Sequence, residues 1–579
     1  MALAISLLVR GYLKKMLLEA GGGMKVLVVD PHTMATVSAV YTHSEILQQE
    51  VFLVEYLDEY DPEVPQDSLI HMKAVCFLRP TTHNISILKY QLSSPKYGEY
   101  HIFFSNMVQN ASLQALAEAD ENQVVKQVQE YFADFVPLDQ THFTLTLDEP
   151  HMCFLPCSVN AQGVRRARDT IIEGLSSVLL SMKRRPLIRY QTRSIHAKGV
   201  ALDLWRLVYE QEVGLFDFRR GSGFSLLLIV DRLDDPVTPL LTQWTYQAMV
   251  HELVGISHHR VDLRALTGRE SKDQGEVVLS PQLDKFYEKH MYDNYGDLGK
   301  AIKSLVDEFR NDSKSTTNVT SIDDMQRFVE NYPEFRLKSG HVSKHVTLLS
   351  VLNRLIDKRR LMTASMHEQD LACSSNITGH HQEILTMIND PELGEPEKLR
   401  LVALFALRYE TDFNFHNHLA KLYDCLGTVG ISKTRVALID GILRLAGSKN
   451  RTGDLYGTKS FTARASKMVS SLKGVDNVYT QHQPLIMQTI DNLAKGKLKE
   501  QDYPSVDVIM QHRERPAEVL LFIIGGTTYE EARAVALYNA APVKEACNMQ
   551  VVIGGTIVHN SESFFSHIEK HMMATGRIQ

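Results

Sequence analysis

Near the start of the chain, short and nearly continuous apolar runs alternate with stretches of helical spacing. The runs are KVLVVD (25–30), VFLVEYL (51–57), AVCFLRP (74–80) and YHIFFSN (100–106). A strand that is apolar on both faces is buried on both, and strands that alternate with helices build a parallel sheet with helices on either side. The pattern therefore predicts a doubly wound α/β N-terminal domain over residues 1–140.

The same kind of run returns at SLLLIVDR (225–232), and then only far downstream at VLLFIIGG (519–526) and VVIGGTIV (551–558). One strand cannot make a sheet alone, so these runs pair with each other. That predicts a discontinuous α/β second domain, 141–245 with 500–579, and a mainly helical third domain, 246–499, inserted between its halves. Within the insertion, Ser321 and Asp324 form a capping-box pattern, and Met325, Phe328, Val329 and Tyr332 follow at helical spacing. Pro333 interrupts that helix. The spacing resumes at Val342, Val346 and Leu349, so 321–360 reads as a helical hairpin with a proline-weakened elbow. Two polar stretches, 311–321 and 449–467, read as mobile loops.

Leu3, Leu7, Leu13, Met16 and Leu17 place one apolar face on an N-terminal helix, and the early basic residues Arg10, Lys14 and Lys15 argue against a signal peptide. No apolar run approaches the roughly 18 residues needed to span a bilayer. The chain is expected to be cytoplasmic and to reach membranes through partners.

At 579 residues, the chain exceeds what one hydrophobic core organises, which fits several domains. A net charge of -7 offers no general attraction for phosphate backbones, so nucleic acid is not an expected partner. The densest basic stretch, Lys183, Arg184, Arg185, Arg189 and Arg193, reads as a solvated face, with partner or lipid contact as its alternative. The six cysteines, at 76, 153, 157, 373, 425 and 547, form no CxxC pair and no dense framework, so neither a disulfide scaffold nor a zinc site is expected.

Enzyme chemistry is hard to find. Gly21 to Gly23 precede the first strand instead of following it, so a dinucleotide or P-loop site is excluded. Asp30 ends that strand without a second carboxylate two residues on, and reads as the cap of the following turn. Gly525 and Gly526 follow a strand and give a weak anion-site signal, with close packing the alternative. His251-Glu252 lacks a second histidine, and the pairs His258-His259 and His380-His381 read as surface residues. No catalytic residue, metal ligand or cofactor site is assigned.

DRLDDPVTPLLTQWTYQAMVHELVG (231–255) is a long string with no catalytic logic of its own, and it resembles the signature segment of the SM (Sec/Munc-like) regulators of SNARE assembly. KYGEYHIFFSN (96–106), NYPEF (331–335), VSKH (342–345), KLRLVALFALRYE (398–410) and LLFIIGGTTYEEARAV (520–535) resemble that family too. HQPLI and GKLKEQDYP (482–503) and GGTIVHNSESF (554–564) point to its endosomal, vacuolar-sorting class.

The resemblance implies a three-domain arch, α/β plus α, that acts without being an enzyme. It implies a syntaxin-type SNARE of the endosomal or trans-Golgi class as partner, held in a central cleft and by its short N-terminal peptide. The assembled SNARE complex, the vesicle SNARE and a Rab-effector tether are further partners, and the location is peripheral on endosome and trans-Golgi membranes. Leu113, with Leu116 and Phe104, would line the N-terminal-peptide pocket, although leucines spaced three apart and a strand phenylalanine are ordinarily core. Asp30 would stand at the cleft edge, and Ala35 departs from a basic residue that some members carry there. Pro333 would be the hinge of the helical hairpin, its plain alternative being a proline that ends a helix. The rival readings are an SM protein of the exocytic or Golgi step and a nucleotide-dependent α/β enzyme.

Overall fold

The computed structural model describes residues 4–57, 69–147, 161–218, 224–267, 275–317, 322–452, 455–456, 481–507, 515–541 and 549–578, without the side chains of 161–162, 265, 267 and 312–337. The chain forms two compact units. One comprises Met1–Arg232, Thr489–Thr527 and Val535–Val558; the other comprises Leu233–Gln488, Thr528–Ala534 and His559–Gln579.

The first unit carries two sheets. In the first, β1 (Lys25–Val29), β2 (Val51–Tyr56), β3 (Leu69–Leu78), β4 (Tyr97–Phe104) and β5 (Val125–Glu130) run parallel in the order β2-β1-β3-β4-β5. All of β1 is buried, as its unbroken apolar run requires. β5 escapes a search for apolar runs because VKQVQE is an edge strand that alternates between half-buried and exposed positions over its first half.

The second sheet has the order β6-β7-β13-β12-β9-β8, from β6 (Val136–Pro137), β7 (His142–Thr144), β8 (Leu187–Tyr190), β9 (Ser225–Asp231), β12 (Glu518–Ile524) and β13 (Gln550–Gly555). The distant apolar runs do pair: Leu228 faces Leu521, which faces Ile553. Gly554 has no side chain because Phe143 fills the place, with a ring carbon 2.0 Å from where a Cβ would stand. The outer edge of β8 is closed by the GKLKEQDYP region: the Tyr190 N–H donates to the Pro504 carbonyl (3.2 Å) and the Val506 N–H to the Ile188 carbonyl (3.0 Å). A bare edge would invite foreign strands.

Of the basic stretch, Lys183, Arg185 and Arg193 are exposed, as the solvated-face reading has it, while three of its arginines also make contacts within this unit. Arg184 pairs with Glu518 (2.5 Å), Arg185 lies over the Tyr209 ring (4.3 Å) and Arg189 donates to the Tyr503 carbonyl (2.7 Å). The N-terminal helix forms over Ile5–Glu19, but its buried face is Ile5, Val9, Leu13, Met16 and Leu17; Leu7 is 64% exposed. Leu13, Met16 and Leu17 of the expected face are buried, Leu7 departs from it because it fits their spacing only loosely, and Leu3 lies outside the described residues.

The second unit is mainly helical, with one two-stranded hairpin among its described residues, of β10 (Arg260–Asp262) and β11 (Glu276–Val278). Its central helix, Glu395–Tyr409, is buried on nearly every side, and the helices Leu361–Cys373, Ile377–Asn389, Phe415–Thr428 and Lys433–Ala446 pack around it. A second core joins Trp244, Tyr246 and Met249 to Leu298, Ile302, Leu348, Leu352 and Ile356.

Two expectations are corrected, the loop at 311–321 and the elbow at Pro333. The helix Tyr295–Thr317 runs through most of 311–321, and the helix Ile322–Lys358 passes unbroken through Pro333. The hairpin is therefore made by these two helices instead of folding at an elbow. An interior proline removes one hydrogen bond, which long helical flanks outweigh. Most of the 449–467 stretch lies outside the described residues, but its start is anchored, with Arg451 paired to Glu410 (2.6 Å).

Candidate partner-binding surface

A sheet ordered 2-1-3-4-5 holds ligands in the crevice beyond the carboxyl ends of its strands, where the order reverses between β1 and β3. Here that place is filled by side chains. Asp30, after β1, caps the helix Pro31–Val40 by accepting the His32 and Thr33 N–H groups, both at 2.9 Å. Its other carboxylate oxygen accepts the Arg79 N–H (2.7 Å) and the Asn84 Nδ2 (2.8 Å). Asp30 is thus a buried brace between the ends of β1 and β3.

Beside it, Asp134 accepts from Arg79 Nη2 (3.0 Å) and Asn106 Nδ2 (3.2 Å), with Arg79 Nε 2.8 Å and His32 Nε2 3.3 Å away as charged neighbours. Burial acts to raise the pKa of Asp134, but His32 and Arg79 outweigh it and hold the carboxyl well below the usual carboxylate range. The same occupancy holds at the second sheet. Gly525 and Gly526 adopt φ of +88° and +96° after β12, which favours glycine. Their N–H groups and that of Thr527 donate to Thr556 Oγ1, the Ile523 carbonyl and the Ile557 carbonyl. The glycines serve a turn, and the anion-site signal is overturned.

The three residues expected around a peptide pocket separate by depth. Phe104 on β4 (0% exposed) and Leu116 on the helix Asn110–Ala119 (3%) join one core cluster with Ile102, Leu88 and Leu92. Leu113, one turn earlier, is half-buried and stands outside that cluster. Of the three, Leu113 alone offers carbon surface to a ligand in this conformation. Pro333 lies within the helix Ile322–Lys358, and its side chain is outside the described residues.

The signature segment proves to be buried polar wiring. Thr242 donates its N–H to Glu368 (2.7 Å) and its Oγ1 accepts from Arg400 (2.8 Å). Trp244 Nε1 donates to Ser365 (2.7 Å), and Glu252 pairs with Arg400 (2.5 Å). The arginine inside the apolar run KLRLVALFALRYE was the available signal for this network. His259, His380 and His381 are buried, against the surface reading of the histidine pairs, while His258 is exposed as that reading has it. No cluster of three metal-ligating side chains and no helix long and apolar enough to cross a membrane occurs among the described residues.

Residues 25–567 match the model of the Sec1 family, and the chain belongs to that family. Among its relatives is the vacuolar protein sorting-associated protein 45 homolog of Arabidopsis thaliana, 46% identical over 562 residues, which are 97% of this chain and 97% of that protein. Vacuolar protein sorting-associated protein 45 of Homo sapiens is 42% identical over 561 residues, 97% of this chain and 95% of that one. The SM protein Vps45, solved in complex with the Qa SNARE Tlg2 (1-310), matches with a TM-score of 0.88 at 39% identity, over 100% of this chain and 99% of that one.

Proposed function

We propose that this chain is an SM-type SNARE-assembly chaperone that binds a Qa, syntaxin-type SNARE and promotes vesicle fusion in endosomal, trans-Golgi and vacuolar trafficking. The observation that carries the reading is the end-to-end likeness to a Vps45 solved with its Qa SNARE. The filled crevice of the first sheet supports a role in binding instead of small-molecule chemistry. Leu113 is the rim residue for the SNARE's N-terminal peptide, with Phe104 and Leu116 as the packed floor that positions it. Asp30 shapes the strand ends at the cleft edge, and Pro333 is the point at which the long helix bends when the vesicle SNARE engages. Membrane location is peripheral and follows from the SNARE, with a Rab-effector tether as a further contact.

Calorimetric titration with the cytosolic part of an endosomal syntaxin, with and without its N-terminal peptide, tests this. Binding that weakens without the peptide supports both the class and the pocket. Binding only to a plasma-membrane or Golgi syntaxin keeps the family and overturns the class.

A further inference from the structure

The helix Ile322–Lys358 has 37 residues and is about 55 Å long at about 1.5 Å per residue. Among its described side chains, burial begins at His345 and continues through Leu348, Val351, Leu352 and Ile356. Lys338, Gly340 and Ser343 are exposed. Its partner Tyr295–Thr317 buries Leu298 and Ile302 near its start. The segment 322–344, about 35 Å of helix, thus precedes a packed root that begins at His345, its described side chains being half-buried or exposed.

An unusual polar arrangement sits at that root. The Asp284 side chain caps the helix Lys285–His290 by accepting the Tyr287 N–H (3.0 Å). Its Oδ2 meets three groups from one face of the long helix: His341 Nδ1 (3.2 Å), Lys344 Nζ and His345 Nε2 (3.0 Å). On its other side, His345 Nδ1 lies 2.7 Å from the Tyr246 hydroxyl, and Lys344 also donates to the Val278 carbonyl (3.0 Å). Nδ1 accepting from Tyr246 leaves Nε2 as the N–H that donates to Asp284, so the two neighbours select one tautomer. Tyr246, Asp284 and His345 are all at most 2% exposed.

Apolar ridges between helices tolerate a slip of one turn, about 5.4 Å, because the ridges repeat. A buried carboxylate gripped by three directional partners does not repeat along the helix. Buried ionic groups add little net stability relative to apolar packing, and their best-attested use is to fix register. We propose that Asp284 with the VSKH stretch is a register lock, which sets the axial position and rotation of the long helix and so presents 322–344 as a rigid arm.

Hydrogen–deuterium exchange of the full-length protein tests the lock, comparing His345→Gln and Asp284→Asn with the unaltered chain. Exchange over 322–344 is expected to accelerate at least tenfold, while Glu395–Tyr409 stays within twofold. Lys344→Met removes one partner and leaves the buried pair intact, so it serves if the stronger variants fail to fold; its expected acceleration is threefold or more. Unchanged exchange over 322–344 in a folded variant overturns the lock. Equal acceleration over 322–344 and Glu395–Tyr409 also overturns it, since that reports general destabilisation.

Discussion

Arg400, fully buried in the helical unit, lies 2.5 Å from Glu252, a residue 148 positions away in the chain whose side chain is largely covered. The same guanidinium reaches Glu368 at 2.9 Å, and Glu397 is shared with Arg359. Removing the cation leaves buried carboxylates without their partner. Arg400→Leu is therefore expected to destabilise the unit by about 3–5 kcal/mol, read as a lowered denaturation midpoint in urea; a change under about 1 kcal/mol would mean that the carboxylates protonate at little cost.

The depth difference between Leu113 and Leu116 separates two outcomes. Leu113→Arg is expected to leave thermal stability nearly unchanged and to weaken binding of a syntaxin N-terminal peptide at least tenfold. Leu116→Arg puts a charge into the core and should abolish soluble protein. Equal loss of folding in both variants would return Leu113 to the core.

Asp134 and Asp284 both have pKa values held below the ordinary range, burial working against the shift and neighbouring histidines and cations prevailing. A depressed carboxylate stabilises the fold fully above its unfolded value, about 4, and loses that contribution as pH falls through the folded value. His345 acts in the same direction from a higher pH: burial lowers its pKa, so its contribution fades as pH drops below about 6.5. Melting temperature should therefore decline gently below that pH and steeply below about 4. In Asp134→Asn the steep limb should flatten, and an unaltered limb would place the acid sensitivity elsewhere.

Because the crevice of the first sheet is filled by Asp30, Arg79 and Asp134, ATP, GTP or NAD is expected to leave the melting temperature unmoved. A cognate syntaxin should raise it by mass action, by about 2.7 kcal/mol of stability at a hundredfold excess over Kd. A shift with any of the nucleotides would reopen the enzyme reading.

How much of this was legible beforehand depends on the kind of signal. Strands such as KVLVVD announce themselves because they are buried on both faces, and the long-range pairing of SLLLIVD with EVLLFII follows from each needing a partner. β5 and β8 do not, being short or polar edges whose pairing, and not their composition, makes them strands. Asp30 was legible as a cap, since a carboxylate before a proline-led helix start has that local use; its bonds to Arg79 and Asn84 depend on tertiary placement. The proline rule misled at Pro333, where local propensity is one term among many along a long helix. Phe104 and Leu116 show the converse: family motifs mark positions, while depth is set by packing.

The second sheet also carries a consequence for synthesis. Asp231 on β9 faces Ile524 on β12, so the strand leaves the ribosome long before its neighbour exists. At about 5–20 residues per second, the wait is on the order of 15–60 s. Throughout that interval an apolar strand edge stands open in the nascent chain. A chain stopped before Glu518 would keep it open permanently, and would be a substrate for chaperones and proteases instead of a shortened working protein.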